Sequence, residues 1–146
     1  MRYLCQTFLA GIVIGMMGAP LADAQPGAHV PAEEHAWVTE HPVIQKLLDL
    51  TNNHRAKYNR APVELDPYLT LKAQQHAEWM AKTGYYQHSR FGYPEIIFYS
   101  PGSAENAING WIRSPSHHGI MLKRANYVGF GYMLINGRDY WVGIFY

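Results

Sequence analysis

The chain has 146 residues and a formal net charge of +1, from 12 basic and 11 acidic side chains, and it carries eight histidines. A charge so close to zero, without a run of lysine and arginine, gives no indication of nucleic acid or an anionic membrane as a partner. With 48% apolar and 14% aromatic residues the composition predicts one ordinary globular domain with a packed core.

The first 24 residues are predicted to be a cleavable secretory signal. Arg2 supplies a positive start, an apolar run follows from residue 8 to 17, and Ala22-Asp23-Ala24 is a small-x-small site of the kind that signal peptidase accepts. The alternative is an uncleaved membrane anchor, but the run is shorter than the roughly 20 apolar residues that span a bilayer. Cleavage would begin the mature chain at Gln25, leave it without a transmembrane segment, and place the protein in the periplasm or outside the cell.

The single cysteine, Cys5, lies inside this predicted signal and is lost on cleavage. The mature protein would therefore contain neither a disulfide nor a reactive thiol. Small extracellular domains of animals and plants usually carry disulfides, so this cysteine usage favours a bacterial protein that depends on its core alone.

Residues 25–41 show no periodicity and are rich in proline, alanine, histidine and acidic residues, which predicts a flexible lead-in. Pro42 then opens a helix that continues to about Tyr58, because proline at the first helical turn removes an N–H that would be unpaired anyway. The apolar face of this helix consists of Ile44, Leu47, Leu48 and Thr51.

A second helix is predicted from Asp66-Pro67, an N-cap followed by proline at the first helical position, to Gly84, which suits a left-handed C-cap. Its buried stripe consists of Leu69, Ala73, His76, Ala77 and Met80. His76 is therefore interpreted as a core histidine. Residues 95–99 are β-branched and aromatic, and predict a strand.

The remaining elements are two helices and a hairpin. Ser103 is a candidate cap for a third helix, and Ser114-Pro115-Ser116 ends that helix and caps a short fourth one. Two strands follow, at 127–134 and 139–146, joined by Asn136-Gly137, a strong signal for a two-residue hairpin turn. Helices followed by strands late in the chain predict an α+β fold in which helices pack on an antiparallel sheet.

Several phrases occur in an order that is typical of one family. They are Asn52-Asn53-His54-Arg55, Ala73-x-x-His76-Ala77-x-x-Met80-Ala81, Tyr86-Gln87-His88-Ser89, Trp111-Ile112-Arg113-Ser114-Pro115-Ser116-His117-His118, and Val128-Gly129-Phe130-Gly131 with Tyr140-Trp141-Val142. From 42 to 146 the chain resembles the CAP superfamily of cysteine-rich secretory, antigen 5 and pathogenesis-related proteins, and more closely its short cysteine-free bacterial branch. The resemblance implies an α-β-α sandwich, with helices packed on a small, mainly antiparallel sheet, and a central cleft.

The cleft of the family is typically lined by two histidines and two acidic residues. By motif, the resemblance assigns His88 and His117 as the histidines and Glu95 as the glutamate, with Pro94-Glu95-Ile96 in place of the usual Gly-Glu-Asn. The second acidic residue would fall near Ser114, and this chain lacks it. Two imidazoles and a carboxylate are compatible with Zn²⁺ and leave a position open for water. The same groups can equally hold a polar cleft together by hydrogen bonds without an obligatory metal.

Other conspicuous residues receive structural interpretations. Trp79, Trp111 and Trp141 are expected in the core, although an exposed one could line a ligand groove. His118 is expected to be solvated or to contact a loop near the C-terminus. The resemblance implies that the asparagine and the arginine of the first phrase are structural and join their helix to nearby backbone.

Three functions remain open at this stage. The main hypothesis is an extracytoplasmic CAP-domain binding module whose cleft takes an unknown small ligand, a lipid, a divalent metal or a cell-envelope component. The first alternative is a metal-dependent hydrolase at His88, Glu95 and His117. The hydrolase hypothesis is weakened because no other carboxylate is an evident candidate for the general base. A binding protein is therefore favoured over an enzyme. The second alternative is a purely structural extracytoplasmic protein.

Overall fold

The structure is a computed structural model that describes Pro26 and residues 32–146, with side chains from residue 36 onward. The predicted signal, residues 1–24, lies outside the described residues, as do residues 25 and 27–31 of the predicted lead-in. The elements are α1 (Ala32–Thr39), α2 (Pro42–Lys57), β1 (Glu64–Leu65), α3 (Pro67–Thr83), β2 (Glu95–Tyr99), α4 (Ala104–Arg113), α5 (Pro115–Leu122), β3 (Tyr127–Ile135) and β4 (Arg138–Phe145).

The ends of α3 follow the signals in the sequence. Asp66 Oδ1 accepts a hydrogen bond from the backbone N–H of Leu69 at 2.8 Å, which satisfies one of the free donors of the first turn. At the other end Gly84 adopts φ 74°, the left-handed conformation that closes a helix. The predicted limits of this helix are confirmed. Its C-terminal end fixes the start of the segment that leads to β2.

The predicted hairpin is also confirmed. Asn136 and Gly137 adopt φ 50° and 71°, as a two-residue turn of the primed type requires. This turn sets β3 and β4 in antiparallel register, from Ile135 opposite Arg138 down to Val128 opposite Phe145.

The sheet has the strand order β1-β3-β4-β2. β4 is antiparallel to both of its neighbours, and β1 runs parallel to β3, so the expectation of a mainly antiparallel sheet holds. β1 pairs Glu64 with Tyr127 and Leu65 with Val128. It lies between the first and second predicted helices, where no strand was predicted, because two residues are too few to show a period.

Helices cover both faces of the sheet. Alternate side chains of β4 pack into two different hydrophobic cores, because successive side chains of a strand point to opposite faces of the sheet. Trp141 and Phe145 pack with α2, α4 and α5, whereas Val142 and Ile144 pack with α3. The structure is therefore the predicted α+β sandwich of the α-β-α type, with α2, α4 and α5 on one side and α3 on the other.

β3 contacts α3 directly through its glycines. A Cβ atom added at Gly129 would overlap the backbone of Leu69 and Thr70, and one added at Gly131 would overlap the backbone of Ala73 and Gln74. Only glycine therefore permits this close approach of strand and helix.

The segment predicted as an irregular lead-in differs in part, since it includes α1. This helix packs on α3, with the side chain of Val38 buried at 2% exposure while that of Trp37 stays 63% exposed. A single buried apolar side chain among residues 36–39 is too weak a pattern to predict a helix from sequence. Among residues 32–146, no helix combines the length and apolar character needed to cross a bilayer.

Candidate functional site

Three elements bring His88, Glu95 and His117 together. His88 lies in the segment between α3 and β2, Glu95 is the first residue of β2, and His117 lies on α5. The end of α3 at Gly84 and the start of β2 fix both ends of the segment that carries His88. The three residues assigned by the resemblance are therefore neighbours in the folded chain.

Glu95 orients His88 through two short hydrogen bonds. Its Oε1 accepts from His88 Nδ1 at 2.8 Å and from the backbone N–H of Ser89 at 2.8 Å. The Glu95 side chain is only 5% exposed, whereas that of His88 is 53% exposed. Because the carboxylate can only accept, the proton of the neutral imidazole belongs on Nδ1, and the lone pair of Nε2 is left free.

His117 supplies the second imidazole. Its ring centroid lies 5.7 Å from that of His88, with the two planes at 64°. Burial lowers the pKa of His117 below its usual value, and repulsion from His88 lowers it further, against a smaller opposing effect of Glu95. The ring is therefore neutral near pH 7, and a neutral imidazole is the form that binds a metal or accepts a proton.

The site offers two imidazoles, with a carboxylate behind one of them. Among residues 36–146, no three His, Cys, Asp or Glu side chains are placed to hold an ion jointly. Glu95 Oε1 is engaged with His88, which is the orienting contact that metal-binding histidines usually have. Glu95 Oε2 is buried and has no hydrogen-bond partner in the described part of the chain. The two imidazoles thus remain as the available ligands, beside an unsatisfied negative oxygen.

An aromatic pocket of about 320 Å³ adjoins His88. It is lined by Gln75, His76, Trp79, Gln87, His88, Ser89, Arg90 and Phe91. The expectation that Trp79 lies in the core was wrong, since its side chain is 38% exposed. Trp79 stands at the edge of the buried stripe and stacks on His76, with centroids 5.6 Å apart and planes at 10°, so it forms a wall of the pocket.

His76 positions the segment that carries His88. The residue is 5% exposed, as predicted for a core histidine, and its Nε2 lies 2.9 Å from the carbonyl oxygen of Gln87. Because Gln87 directly precedes His88, this contact ties the segment to α3. The sequence pattern identified the burial of His76 but gave no sign of this partner.

A second histidine pair lies on the other side of α5. His54 Nε2 and His118 Nε2 are 2.9 Å apart, and the ring of Tyr58 packs on both imidazoles. Burial lowers the pKa of His54, and repulsion from His118 and Lys57 adds to the effect. The expectation of a solvated or loop-bound His118 was wrong, since its ring contacts that of His54. A contact between residues 64 positions apart leaves no local pattern in the sequence from which it could be predicted.

These lowered histidine pKa values predict that the fold weakens in mild acid. A histidine whose pKa is lower in the folded than in the unfolded chain contributes stability above its unfolded pKa, about 6.5, and that contribution is lost as the pH falls through the folded value. We expect a lower urea midpoint at about pH 5.5 than at about pH 7.5. His117→Asn should reduce this loss, whereas His41→Asn, at an exposed helix cap, should keep it in full. A midpoint that is equal at both pH values would contradict the prediction.

Comparison with known proteins decides the family. The sequence model described as the cysteine-rich secretory protein family, CAP, matches residues 48–145. The chain belongs to the CAP family. No protein of curated function matches the sequence.

Solved structures agree with this CAP assignment. An outer surface protein from Borrelia burgdorferi superposes with a TM-score of 0.60 at 18% identity, over 80% of this chain and 94% of that one. An extracellular protein with an SCP domain from Bacillus anthracis gives 0.55 at 19%, over 69% of this chain and 39% of that one. The structure of NaASP2 with Zn²⁺ gives 0.55 at 19%, over 69% and 77%. At these identities the likeness shows the fold.

Proposed function

We propose that this CAP domain is an extracytoplasmic binding module whose cleft binds a divalent metal ion, with Zn²⁺ as the test case, through His88 and His117. The observation that carries the proposal is the double hydrogen bond from His88 and Ser89 to Glu95. It engages Nδ1 of His88 with the carboxylate and so leaves Nε2 for a ligand, and the ring of a second, neutral imidazole lies 5.7 Å away, centroid to centroid. The structure of the CAP protein NaASP2 with Zn²⁺ gives independent support for the choice of metal.

Each residue has a separate part in this proposal. His88 and His117 would hold the ion, and Glu95 would fix the tautomer and the orientation of the His88 ring. Bound zinc supplies a Lewis acid to which a ligand oxygen can bind. The aromatic pocket at Trp79 and Phe91 adjoins His88 and would admit the apolar part of a small ligand.

The extracytoplasmic location rests on two further observations. Two structural neighbours are named as an outer surface protein and an extracellular protein. The predicted signal at residues 1–24 would direct this chain to the same side of the membrane, where a disulfide-free domain needs no oxidant to fold.

Zinc binding by the mature chain tests the proposal. In equilibrium dialysis near neutral pH we expect one equivalent of zinc for the wild type, and a loss of affinity of about tenfold or more in His88→Ala and in His117→Ala. Glu95→Gln should weaken binding by about 10- to 100-fold, because an amide cannot orient and polarise His88 as a carboxylate does. His41→Asn removes a histidine but keeps a side chain that caps α2, and should bind as the wild type does.

Two results would overturn the metal site. The first is a wild-type protein that takes up no stoichiometric zinc. The second is an affinity that falls as much in His41→Asn as in the two cleft variants, since zinc would then be held by scattered histidines.

A further inference from the structure

A basic pocket of about 270 Å³ lies where the end of α2 meets the segment between α5 and β3. Its lining residues are Arg55, Asn59, Arg60, Ala61, Lys123, Arg124, Ala125 and Asn126. Four of these eight residues are cationic and none is acidic. We propose that this pocket binds a phosphate group, carried by a free phosphate ester or by a lipid headgroup. The proposal does not rest on the metal cleft, because the two sites share no residue.

The positive charges of this pocket are not neutralised within the described part of the chain. The ion pairs found among residues 32–146 are Lys46–Glu105, Lys82–Glu78 and His88–Glu95, and none of them involves a residue of the basic pocket. Like charges brought together without a counter-ion repel each other, and a bound anion relieves that repulsion. The pKa of Arg55 is lowered by burial and by the nearby Arg60, in agreement with such crowding.

Arg55 gives the pocket a fixed wall. Its side chain is 1% exposed, and its Nε donates to the carbonyl oxygen of Ala61 at 2.8 Å. Its Nη1 donates to the carbonyls of Met121 at 2.6 Å and Lys123 at 3.1 Å. One buried guanidinium therefore joins the two segments that carry the other cations.

The charge and donor types favour phosphate over a carboxylate. A phosphate monoester carries close to two negative charges and three strong acceptor oxygens at neutral pH, whereas a carboxylate carries one charge. Guanidinium groups match such oxygens with paired donors, and Arg60 and Arg124 are exposed side chains able to close on the ligand. The amides of Asn59 and Asn126 add neutral donors at the rim.

The test measures binding of glycerol 3-phosphate by calorimetry and binding to phosphatidylcholine vesicles with and without phosphatidic acid, whose headgroup is a phosphate monoester. Arg60→Gln/Arg124→Gln removes two charges from the pocket, and Arg113→Gln/Arg138→Gln removes two charges elsewhere, so the net charge is matched. We expect the pocket variant to lose about tenfold or more of the affinity for the phosphate ligand, and the control to stay within about twofold. His88→Ala should bind phosphate as the wild type does, which separates this site from the metal cleft.

The outcomes are distinct. Binding of glycerol 3-phosphate that depends on Arg60 and Arg124 supports the pocket with a soluble ester as its ligand. Binding to vesicles with phosphatidic acid, but not to glycerol 3-phosphate, with the same dependence supports it with a lipid headgroup. Equal losses of affinity in both double variants would mean that net charge alone attracts the ligand, and would overturn the proposal. A folded wild-type protein that binds neither probe would also overturn it.

Discussion

Gly131→Ala is expected to destabilise the fold by about 3 kcal/mol, at the upper end for an overpacked site. The added methyl group would overlap the main chain of Ala73 and Gln74, which cannot move aside as a flexible side chain can. Moving α3 away would also break two hydrogen bonds, since the Gln74 amide bonds both the N–H and the carbonyl of Tyr132 at 3.0 Å. Urea unfolding at neutral pH measures the change.

Gly119→Ala is the matched control for this experiment. Gly119 lies within α5, and a Cβ added there meets no atom within 4 Å. Alanine should leave stability unchanged or raise it by up to about 1 kcal/mol, because it is the better helix former. If both alanine variants unfold at the wild-type urea concentration, the close contact between β3 and α3 is not required for stability.

Arg55→Met is expected to cost about 3 to 5 kcal/mol, because it removes three hydrogen bonds that a charged donor makes to backbone carbonyls. Methionine fills much of the space but leaves the carbonyls of Ala61, Met121 and Lys123 without their donor. Arg55→Lys should destabilise the fold as well, because one ammonium group cannot replace two guanidinium nitrogens that donate to separate carbonyls. Thermal or urea unfolding of each variant measures the loss of stability.

Arg60→Met provides the comparison for Arg55. Arg60 lines the same pocket but is exposed, so its replacement should change stability by no more than about 0.5 kcal/mol. An Arg55→Met protein as stable as Arg60→Met would show that the buried guanidinium serves the ligand alone. The expected difference would separate the structural role of Arg55 from the binding role of its exposed neighbours.

The sequence predicted the features that depend on neighbouring residues. Asp66 and Gly84 limit α3 because capping is decided within one helical turn. Asn136-Gly137 defines the hairpin because few residue pairs accept positive φ at both positions. The resemblance supplied the partnership of His88 with His117, which no local pattern contains.

Contacts between distant segments were not predictable from the sequence. The pairing of His54 with His118 and the gathering of Arg60 with Arg124 join segments more than 60 residues apart. A net charge of +1 averages over the whole chain and so hides a local group of four cations. Trp79 belongs by spacing to the edge of a helical stripe, where periodicity does not distinguish a core position from a pocket wall.

The place of β4 in the sheet has a consequence for biosynthesis. β4 is the last strand in chain order within residues 32–146, yet it lies in the interior of the sheet and is the only sheet partner of β2 in that range. In a nascent chain that lacks β4, β2 has no strand to pair with, and each of the two cores lacks the side chains that β4 contributes. The sheet therefore closes only after this strand has left the ribosome.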